Sequence, residues 1–241
     1  MTLASILLLG FLLGMRHATD ADHLAALATL ATRSRSFAQT VRQGVAWGTG
    51  HTVTLMLFGG AVLVLGLVVP LKAAQALELA VGVMLVYLGA DVLYRLHRDR
   101  IHFHEHRHTE GVAHFHAHSH RDERAPHDPA RHKHGHLRDF PVRALLVGMM
   151  HGMAGSAALI LLSLEALKSV TWGLAYIAVF GLGSILGMAL LSAAIAVPLR
   201  LSSRRLTWFH GALSAVVGLA TMGLGCYLVY TIGVGDGLFG G

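Results

Sequence analysis

Long runs of apolar residues alternate with short polar stretches along the 241-residue chain. Several of these runs exceed the ~18–20 residues that a helix needs to cross a bilayer. The pattern therefore predicts an all-α polytopic membrane protein with six transmembrane helices. In chain order, the predicted spans are Leu3–Leu30, Val41–Val69, Ala73–Leu96, Val142–Leu167, Thr171–Leu199 and Leu206–Ile232.

Composition and charge support a membrane location and suggest an orientation. Only 13% of the residues are charged, whereas a soluble domain carries about 25%. The loops after the first, third and fifth spans contain the arginines, and the loops on the opposite side contain only Lys72 and Lys168. Because basic loops stay in the cytoplasm, we expect both termini outside the cell membrane. The pI near 10 then reflects topology, and we expect a lipid bilayer and no nucleic acid as partner.

Three pairs of segments are similar at a nearly constant spacing of 133 to 136 residues. The pairs are "GMRHATDADHLAAL" at Gly14 with "GMMHGMAGSAALIL" at Gly148, "WGTGHTVTLML" at Trp47 with "FGLGSILGMAL" at Phe180, and "LELAVGVMLVYLGADVLY" at Leu77 with "LSAVVGLATMGLGCYLVY" at Leu213. Since each copy holds three spans, an odd number, the second copy must enter the membrane from the opposite face. The sequence thus predicts two inverted three-helix repeats, residues 1–97 and 140–241, an arrangement typical of secondary transporters.

The segment "RHATDADHLA" places four ionisable groups besides Arg16 inside the first span. Each such group costs ~2.5–3.5 kcal/mol at membrane depth unless it finds a partner or a ligand. On an ideal helix, His17, Asp20 and His23 share an arc of about 120°, so they could contact one ion. Asp22 points elsewhere, and it would reach the ion only where the helix unwinds, or would orient a histidine instead.

Two further histidines arrive at the same predicted depth. His23, His51 and His151 each lie eight to ten residues from an arginine at the predicted cytoplasmic end of their span. At ~1.5 Å per residue this is ~12–15 Å, near the middle of the hydrocarbon core. The alternative is that each histidine donates to a neighbouring carbonyl and binds nothing. Asp91, on the third span, is a candidate for helix packing or proton coupling.

Imidazole and carboxylate donors without a thiolate suit Ni²⁺, Co²⁺, Zn²⁺ or Cu²⁺, and the one cysteine lies in the sixth span. Metal binding to histidine also releases protons, so coupling to proton movement is chemically natural. The candidate metal ligands are His17, Asp20, Asp22, His23, His51 and His151.

The pattern His17-x4-Asp22-His23, followed by "WGTGHT" on the next span, resembles the nickel/cobalt transporter (NiCoT/NicO) superfamily. With "MMHGMAGSAAL" on span four, the chain is similar to its urease-accessory-type nickel permease branch. The resemblance implies that His17, Asp22, His23 and His51 take part in metal selection and passage. The family thus favours Asp22, whereas the ideal helix favours Asp20, and both remain candidates.

Two departures bear on specificity and direction. Longer members carry carboxylate signatures in their second half, where this chain reads "HGMAGSAAL" and "FGLGSIL". The efflux branch has a similar histidine-rich loop, but it typically carries a proline-glycine where this chain has Asp20 to Asp22.

The resemblance implies a secondary transporter that moves Ni²⁺ or Co²⁺ inward, with Zn²⁺ as an alternative cargo. It implies no resident cofactor and no enzymatic activity, and cytoplasmic proteins that mature nickel enzymes are its expected partners. The alternatives are efflux by the same fold and an intramembrane zinc hydrolase, which a histidine–aspartate site could support.

Residues 98–139 form a histidine-rich loop, and 13 of the 18 histidines lie in it or immediately before it. The loop follows the third span and is rich in basic residues, so we expect it to be cytoplasmic. Because it contains few apolar residues, we expect it to be disordered without metal. Its H-x-H repeats suit weak multivalent capture of divalent ions, and the alternative is a solvated linker. The candidate auxiliary ligands are His102, His104, His106, His108, His114, His116, His118, His120, His132, His134 and His136.

Overall fold

The structure is a computed structural model that describes residues 2–34, 36–67, 69–98, 102–107, 113–118, 141–154, 169–205, 207–236 and 238. Helices dominate these residues, and two short strands join them. The elements are α1 (Leu3–His17), α2 (Ala21–Ala31), α3 (Phe37–Leu65), α4 (Leu71–Arg98), β1 (His102–Arg107), β2 (Ala113–His118), α5 (Val142–Ala154), α6 (Val170–Arg205) and α7 (Thr207–Tyr230), with a π-helical segment over Thr231–Gly235.

Four helical stretches are long and apolar enough to cross a membrane, and the bent pair α1–α2 is a fifth candidate. The four are Phe37–Leu65, Leu71–Arg98, Val170–Leu199 and Gly211–Gly235. The predicted span Val142–Leu167 is described only as α5, because residues 155–168 lie outside the described ones. The described part of the chain is thus a helical bundle with four to five candidate membrane spans.

Local sequence signals define several helix ends. The Thr2 side chain accepts a hydrogen bond from the backbone N–H of Ser5 at the start of α1, and Ser36 does the same at the start of α3. Such N-caps satisfy donors that the first turn leaves free. Helix α3 ends at Leu65, and the next residue, Gly66, caps it with a φ of 62° in the left-handed region that glycine adopts without strain.

The first predicted span is wrong as a continuous helix. Helix α1 ends at His17, α2 begins at Ala21, and their axes differ by 54°. The hydroxyl of Thr19 donates to the carbonyl oxygen of Arg16 at 2.6 Å, and Asp20 occupies the N-cap position of α2. Thr and Asp side chains compete for backbone hydrogen bonds, which favours helix ends over helix interiors. The break lies at the centre of the polar segment.

The fifth predicted span agrees with the candidate span Val170–Leu199, but the helix that contains it is longer. Helix α6 continues to Arg205 with Pro198 inside it. A proline removes one backbone hydrogen bond, and a helix in a membrane protein tolerates this where neighbouring groups satisfy the freed carbonyl.

The histidine-rich loop contains a short hairpin. Strands β1 and β2 pair antiparallel, with His102 opposite His118 and His104 opposite His116. These strands differ from the expectation of an entirely helical chain. The H-x-H alternation has the period of two that is typical of strands.

Backbones approach closely where glycines face the neighbouring helix. Helix α3 packs against α5 and α6, α1 packs against α6, and α4 packs against α7. A Cβ on Gly14 would collide with the Phe180 carbonyl, and one on Gly148 would collide with the Trp47 carbonyl. Small residues permit this packing in membrane helices. These contacts hold α1 and α5, which carry two of the candidate histidines, against the centre of the bundle.

Candidate metal site

Four histidines from four helices meet in the interior. His17 ends α1, His23 lies in the first turn of α2, His51 lies within α3, and His151 lies near the end of the described part of α5. The His17 ring centroid is 4.5 Å from that of His23 and 5.2 Å from that of His51. The His23 centroid is 5.4 Å from that of His51 and 4.7 Å from that of His151. Three of the four are buried, and His51 has no exposed surface.

Each histidine beside the helix break has a carboxylate on its Nδ1 atom. His17 Nδ1 is 2.8 Å from Asp20 Oδ2, and His23 Nδ1 is 3.0 Å from Asp22 Oδ1. The His23 backbone N–H also donates to Asp22 Oδ1 at 2.9 Å. Carboxylates placed in this way fix the tautomer and orientation of metal-binding histidines and leave Nε2 to face an ion.

Asp22, rather than Asp20, lies among the histidines. Its second oxygen, Oδ2, is 3.4 Å from His151 Nε2, so this carboxylate contacts rings on both α2 and α5. The Asp20 side chain is 54% exposed and contacts His17 from outside the cluster. The ideal helical wheel that placed Asp20 beside His17 and His23 assumes an unbroken helix, whereas the helix breaks at these residues. The break turns Asp22 inward, the local unwinding that its participation requires.

The imidazoles expose nitrogens that have no hydrogen-bond partner among the described residues. These atoms are Nε2 of His17 and His23, both ring nitrogens of His51 and Nδ1 of His151, while His151 Nε2 makes no hydrogen bond and has only the 3.4 Å contact with Asp22 Oδ2. Buried polar atoms are normally paired, and an unpaired one costs free energy. The alternative in which each ring donates to a nearby carbonyl therefore has no support in the described part of the chain. Unpaired nitrogens that face one another are typical of a ligand site.

Two sets of three ligand atoms lie close enough to hold an ion. In the first, formed by His17, His23 and His51, the three atoms lie within 4.8 Å of one another. The second, formed by Asp22, His23 and His151, meets the same limit. Donors about 2.1 Å from an ion lie ~3–3.5 Å apart, so small side-chain movements would complete either set. Both sets suit a borderline divalent ion.

Aromatic rings that the sequence interpretation missed form one wall of the cluster. The Trp47 ring centroid is 4.9 Å from that of His151 and 6.2 Å from that of His23. The Phe180 centroid is 5.5 Å from that of His17. The signal was present, since Trp47 and Phe180 begin the two aligned segments "WGTGH" and "FGLGS".

The candidate auxiliary histidines divide into two groups. Six lie on the hairpin strands, namely His102, His104, His106, His114, His116 and His118. The others lie outside the described residues, namely His108, His120, His132, His134 and His136.

A second polar cluster surrounds Asp91 on α4. Its Oδ2 atom accepts hydrogen bonds from Arg33 and from Arg143, the latter at 3.2 Å, and lies 3.5 Å from the Arg95 guanidinium. Asp91 therefore joins the end of α2 to the start of α5. Of the two roles predicted for Asp91, helix packing and proton coupling, these contacts favour helix packing.

Apolar helices of membrane-spanning length, together with a buried imidazole–carboxylate cluster, define the class of multi-pass membrane proteins with a candidate metal site between their helices. The family NicO, described as high-affinity nickel-transport protein, matches residues 3–234. The chain therefore belongs to the NicO family of nickel transporters and is not an enzyme, so the zinc hydrolase alternative is wrong.

A relative supports the same assignment. The chain is 34% identical over 240 residues to "Urease accessory protein UreH" from Bacillus sp. (strain TB-90), and the alignment covers 98% of this chain and 96% of that protein. No solved structure matches the chain significantly.

Proposed function

We propose that this chain is a secondary transporter that moves Ni²⁺ or Co²⁺ into the cell through the histidine cluster, which consists of His17, His23, His51 and His151 together with Asp22. The observation that carries the proposal is the set of buried ring nitrogens without partners among the described residues. An ion that passes through the bundle would supply a partner to one nitrogen of each ring. Zn²⁺, which accepts the same donors, is an alternative cargo.

The proposal includes six membrane spans arranged as two inverted three-helix repeats, with the histidine cluster near the midplane. The glycine contacts support this arrangement, because they occur in matched pairs. Gly14 and Gly148 occupy equivalent positions in the two halves, and they contact Phe180 and Trp47, which are also equivalent. Reciprocal contacts of this kind are expected when a twofold axis in the membrane plane relates the repeats.

The orientation follows from the positive-inside rule. Arg33 and Arg143, which meet at Asp91, lie at the predicted cytoplasmic ends of the first and fourth spans, and the histidine-rich loop lies on the same side. Both termini then lie outside the cell membrane. The name of the relative, a urease accessory protein, favours inward movement and delivery to cytoplasmic proteins that mature nickel enzymes.

We further propose that the loop histidines collect ions at the cytoplasmic face. Their H-x-H spacing supports weak multivalent binding, and the alternative remains a solvated linker. Replacing the histidines between positions 102 and 136 by serine should lower nickel accumulation only at limiting external nickel. Equal accumulation at every nickel concentration would favour the linker.

The central test is accumulation of radioactive Ni²⁺ in cells that express the protein. The His23→Ala variant should abolish accumulation, because both ligand sets use His23. The matched control is His97→Ala, which changes an exposed histidine at the end of α4 and should accumulate nickel as the wild type does. Antibody detection in the membrane fraction verifies that each variant is inserted. Equal accumulation by His23→Ala and the wild type would contradict the proposal.

Two further measurements test which metals share the path and in which direction the ion moves. Unlabelled Co²⁺ added in excess should suppress nickel accumulation, and Zn²⁺ should suppress it only if zinc shares the path. Everted membrane vesicles with an imposed proton gradient test the direction. Net loading of everted vesicles from the cytoplasmic face would indicate efflux, and release of preloaded ion would indicate uptake.

A further inference from the structure

The two ligand sets of the histidine cluster overlap at one residue. His17 and His51 belong only to the first set, Asp22 and His151 belong only to the second, and His23 belongs to both. A single ion that bound all five side chains at once would require them to form one set of mutually close atoms. The five side chains instead divide into two triads that share His23.

The two triads also differ in that only the second includes a residue from the second half of the chain, His151. His17 and His151 are equivalent positions in the aligned segments "GMRH" and "GMMH". Each triad contains one member of this pair. The first triad uses the histidine from the first half, and the second uses the histidine from the second half.

We propose that the histidine cluster provides two successive positions for one ion, and that His23 passes the ion between them. This inference rests on the proposed transport function and assigns its order of steps. The order follows from His17, because His23, His51 and His151 lie at one predicted depth. His17 is sixteen residues from Arg33, whereas His151 is eight residues from Arg143, so His17 lies nearer the predicted outer face. The ion therefore occupies the His17–His23–His51 triad first and the Asp22–His23–His151 triad second.

The chemistry of the two triads fits a stepwise transfer. The first triad consists of three neutral donors, and the second adds the carboxylate of Asp22, which offsets part of the charge of a divalent ion. Because His23 stays bound during the transfer, the ion exchanges only two ligands and is never released into the bundle. Several positions of moderate affinity also permit faster conduction than one position of high affinity.

Four double variants test whether the cluster holds one ion position or two. Each removes two ligands, and the choice of the pair decides whether one triad remains complete. The same-triad pairs, His17→Ala/His51→Ala and Asp22→Asn/His151→Ala, each leave the other triad complete. The cross-triad pairs, His51→Ala/His151→Ala and His17→Ala/Asp22→Asn, leave neither complete. In Asp22→Asn the side-chain oxygen can still accept from His23 Nδ1, so the orientation of that ring is retained.

Fluorescence of Trp47 reports binding at the cluster itself. Its ring lies beside His151 and His23, and Ni²⁺ and Co²⁺ quench a nearby indole. The purified full-length protein with Trp172→Phe and Trp208→Phe retains Trp47 as its one tryptophan. Titration with Ni²⁺ then yields an affinity that ions held by the histidine-rich loop do not dominate.

Same-triad pairs should retain saturable quenching, with an affinity within about 10-fold of the wild type, and cross-triad pairs should lose more than about 100-fold. Equal losses in all four double variants would overturn the two-position proposal. Each histidine is also replaced by glutamine, which fills more of the space, and only variants that elute as one species in gel filtration are compared.

Nickel accumulation in cells provides the second readout. Same-triad pairs bind the ion but lack one of the two positions, so they should accumulate less than about a tenth of the wild-type amount. Accumulation at the wild-type rate would overturn the transfer through His23. The proposed function would be contradicted by a different result, namely a wild-type protein that neither binds nor accumulates nickel. The two-position proposal is tested only by the differences among the double variants, so the two failures can be distinguished.

Discussion

The histidine cluster and the Asp91 cluster are both groups of ionisable side chains between membrane helices, yet they differ in how their atoms are paired. Asp91 is 19% exposed and receives guanidinium groups from Arg33, Arg95 and Arg143. In the histidine cluster, one carboxylate, Asp22, contacts two rings, and several ring nitrogens have no partner among the described residues.

This difference separates a structural role from a ligand site. Opposite charges that satisfy one another stabilise the contact between helices and leave little capacity for a cation, and the surplus of arginines would repel one. Buried imidazoles whose nitrogens lack partners destabilise the folded protein until a ligand binds to them. We therefore expect substitutions in the histidine cluster to change metal handling, and substitutions at Asp91 to change stability.

The largest effect is expected from His51→Leu. Leucine has a similar volume and removes two ring nitrogens that have no partner in the described structure. Nickel accumulation should fall by more than about 100-fold, whereas the midpoint of thermal unfolding in detergent should stay the same or rise. A lower midpoint of thermal unfolding with normal nickel accumulation would show that His51 has a structural role and does not bind the ion.

Gly152→Ala should change the distance between two ligands of the histidine cluster without removing a donor atom. A Cβ at this residue would collide with the backbone carbonyl of His51, so α3 and α5 would move apart and separate His51 from His151. We expect a loss of nickel accumulation of about 10-fold or more, the size seen when the support of a ligand is disturbed. Gly223→Ala is the matched control, because a Cβ there has no neighbour within 4 Å, and equal effects of the two changes would refute the steric argument.

Asp20→Asn should have a moderate effect. Asparagine can keep the contact with His17 Nδ1 but loses the negative charge that makes this ring a stronger ligand, and Asp20 does not belong to either ligand set, so nickel affinity measured by Trp47 quenching should fall by about 10-fold. Asp236→Asn, a change of the same kind beyond the end of α7, should leave the affinity unchanged. A loss as large as that of His51→Leu would indicate that Asp20 contacts the ion.

The smallest effect on transport is expected from Asp91→Asn. Removing this charge leaves three arginines without their shared carboxylate, which costs about 2 kcal/mol and lowers the unfolding midpoint by ~4–8 °C. Nickel accumulation per inserted molecule should stay within about threefold of the wild type. An unchanged midpoint together with abolished accumulation would make Asp91 part of the ion path and remove the contrast between the two clusters.

The convergence of the histidines could be predicted from the sequence, because the distance of each histidine along its helix from the predicted cytoplasmic end can be counted in residues. His23, His51 and His151 lie at similar spacing from their arginines, and this spacing is independent of tertiary detail. The choice between Asp20 and Asp22 could not be made in the same way, because the helical wheel assumes an unbroken helix. The Thr-Asp pair at positions 19 and 20, a typical helix start, was the available signal.

The contacts of Asp91 with distant arginines could not be predicted from the sequence. Arg33 and Arg143 are 58 and 52 residues from Asp91, and nothing local indicates that they meet. The hairpin of β1 and β2 is a different case, since its alternating pattern was visible but its low apolar content predicted disorder. A single sequence shows which side chains need partners, and the packing decides which partners they obtain.

The most direct test of the account is X-ray absorption at the nickel edge of the purified protein with one equivalent of Ni²⁺, in a variant whose loop histidines are replaced by serine. The account predicts a first shell that contains two or three imidazole nitrogens at about 2.1 Å, with the outer-shell scattering that imidazole rings produce. The same spectrum for His51→Ala/His151→Ala should lose that scattering. A wild-type spectrum of water oxygens alone would contradict the claim that the buried histidines hold the transported ion.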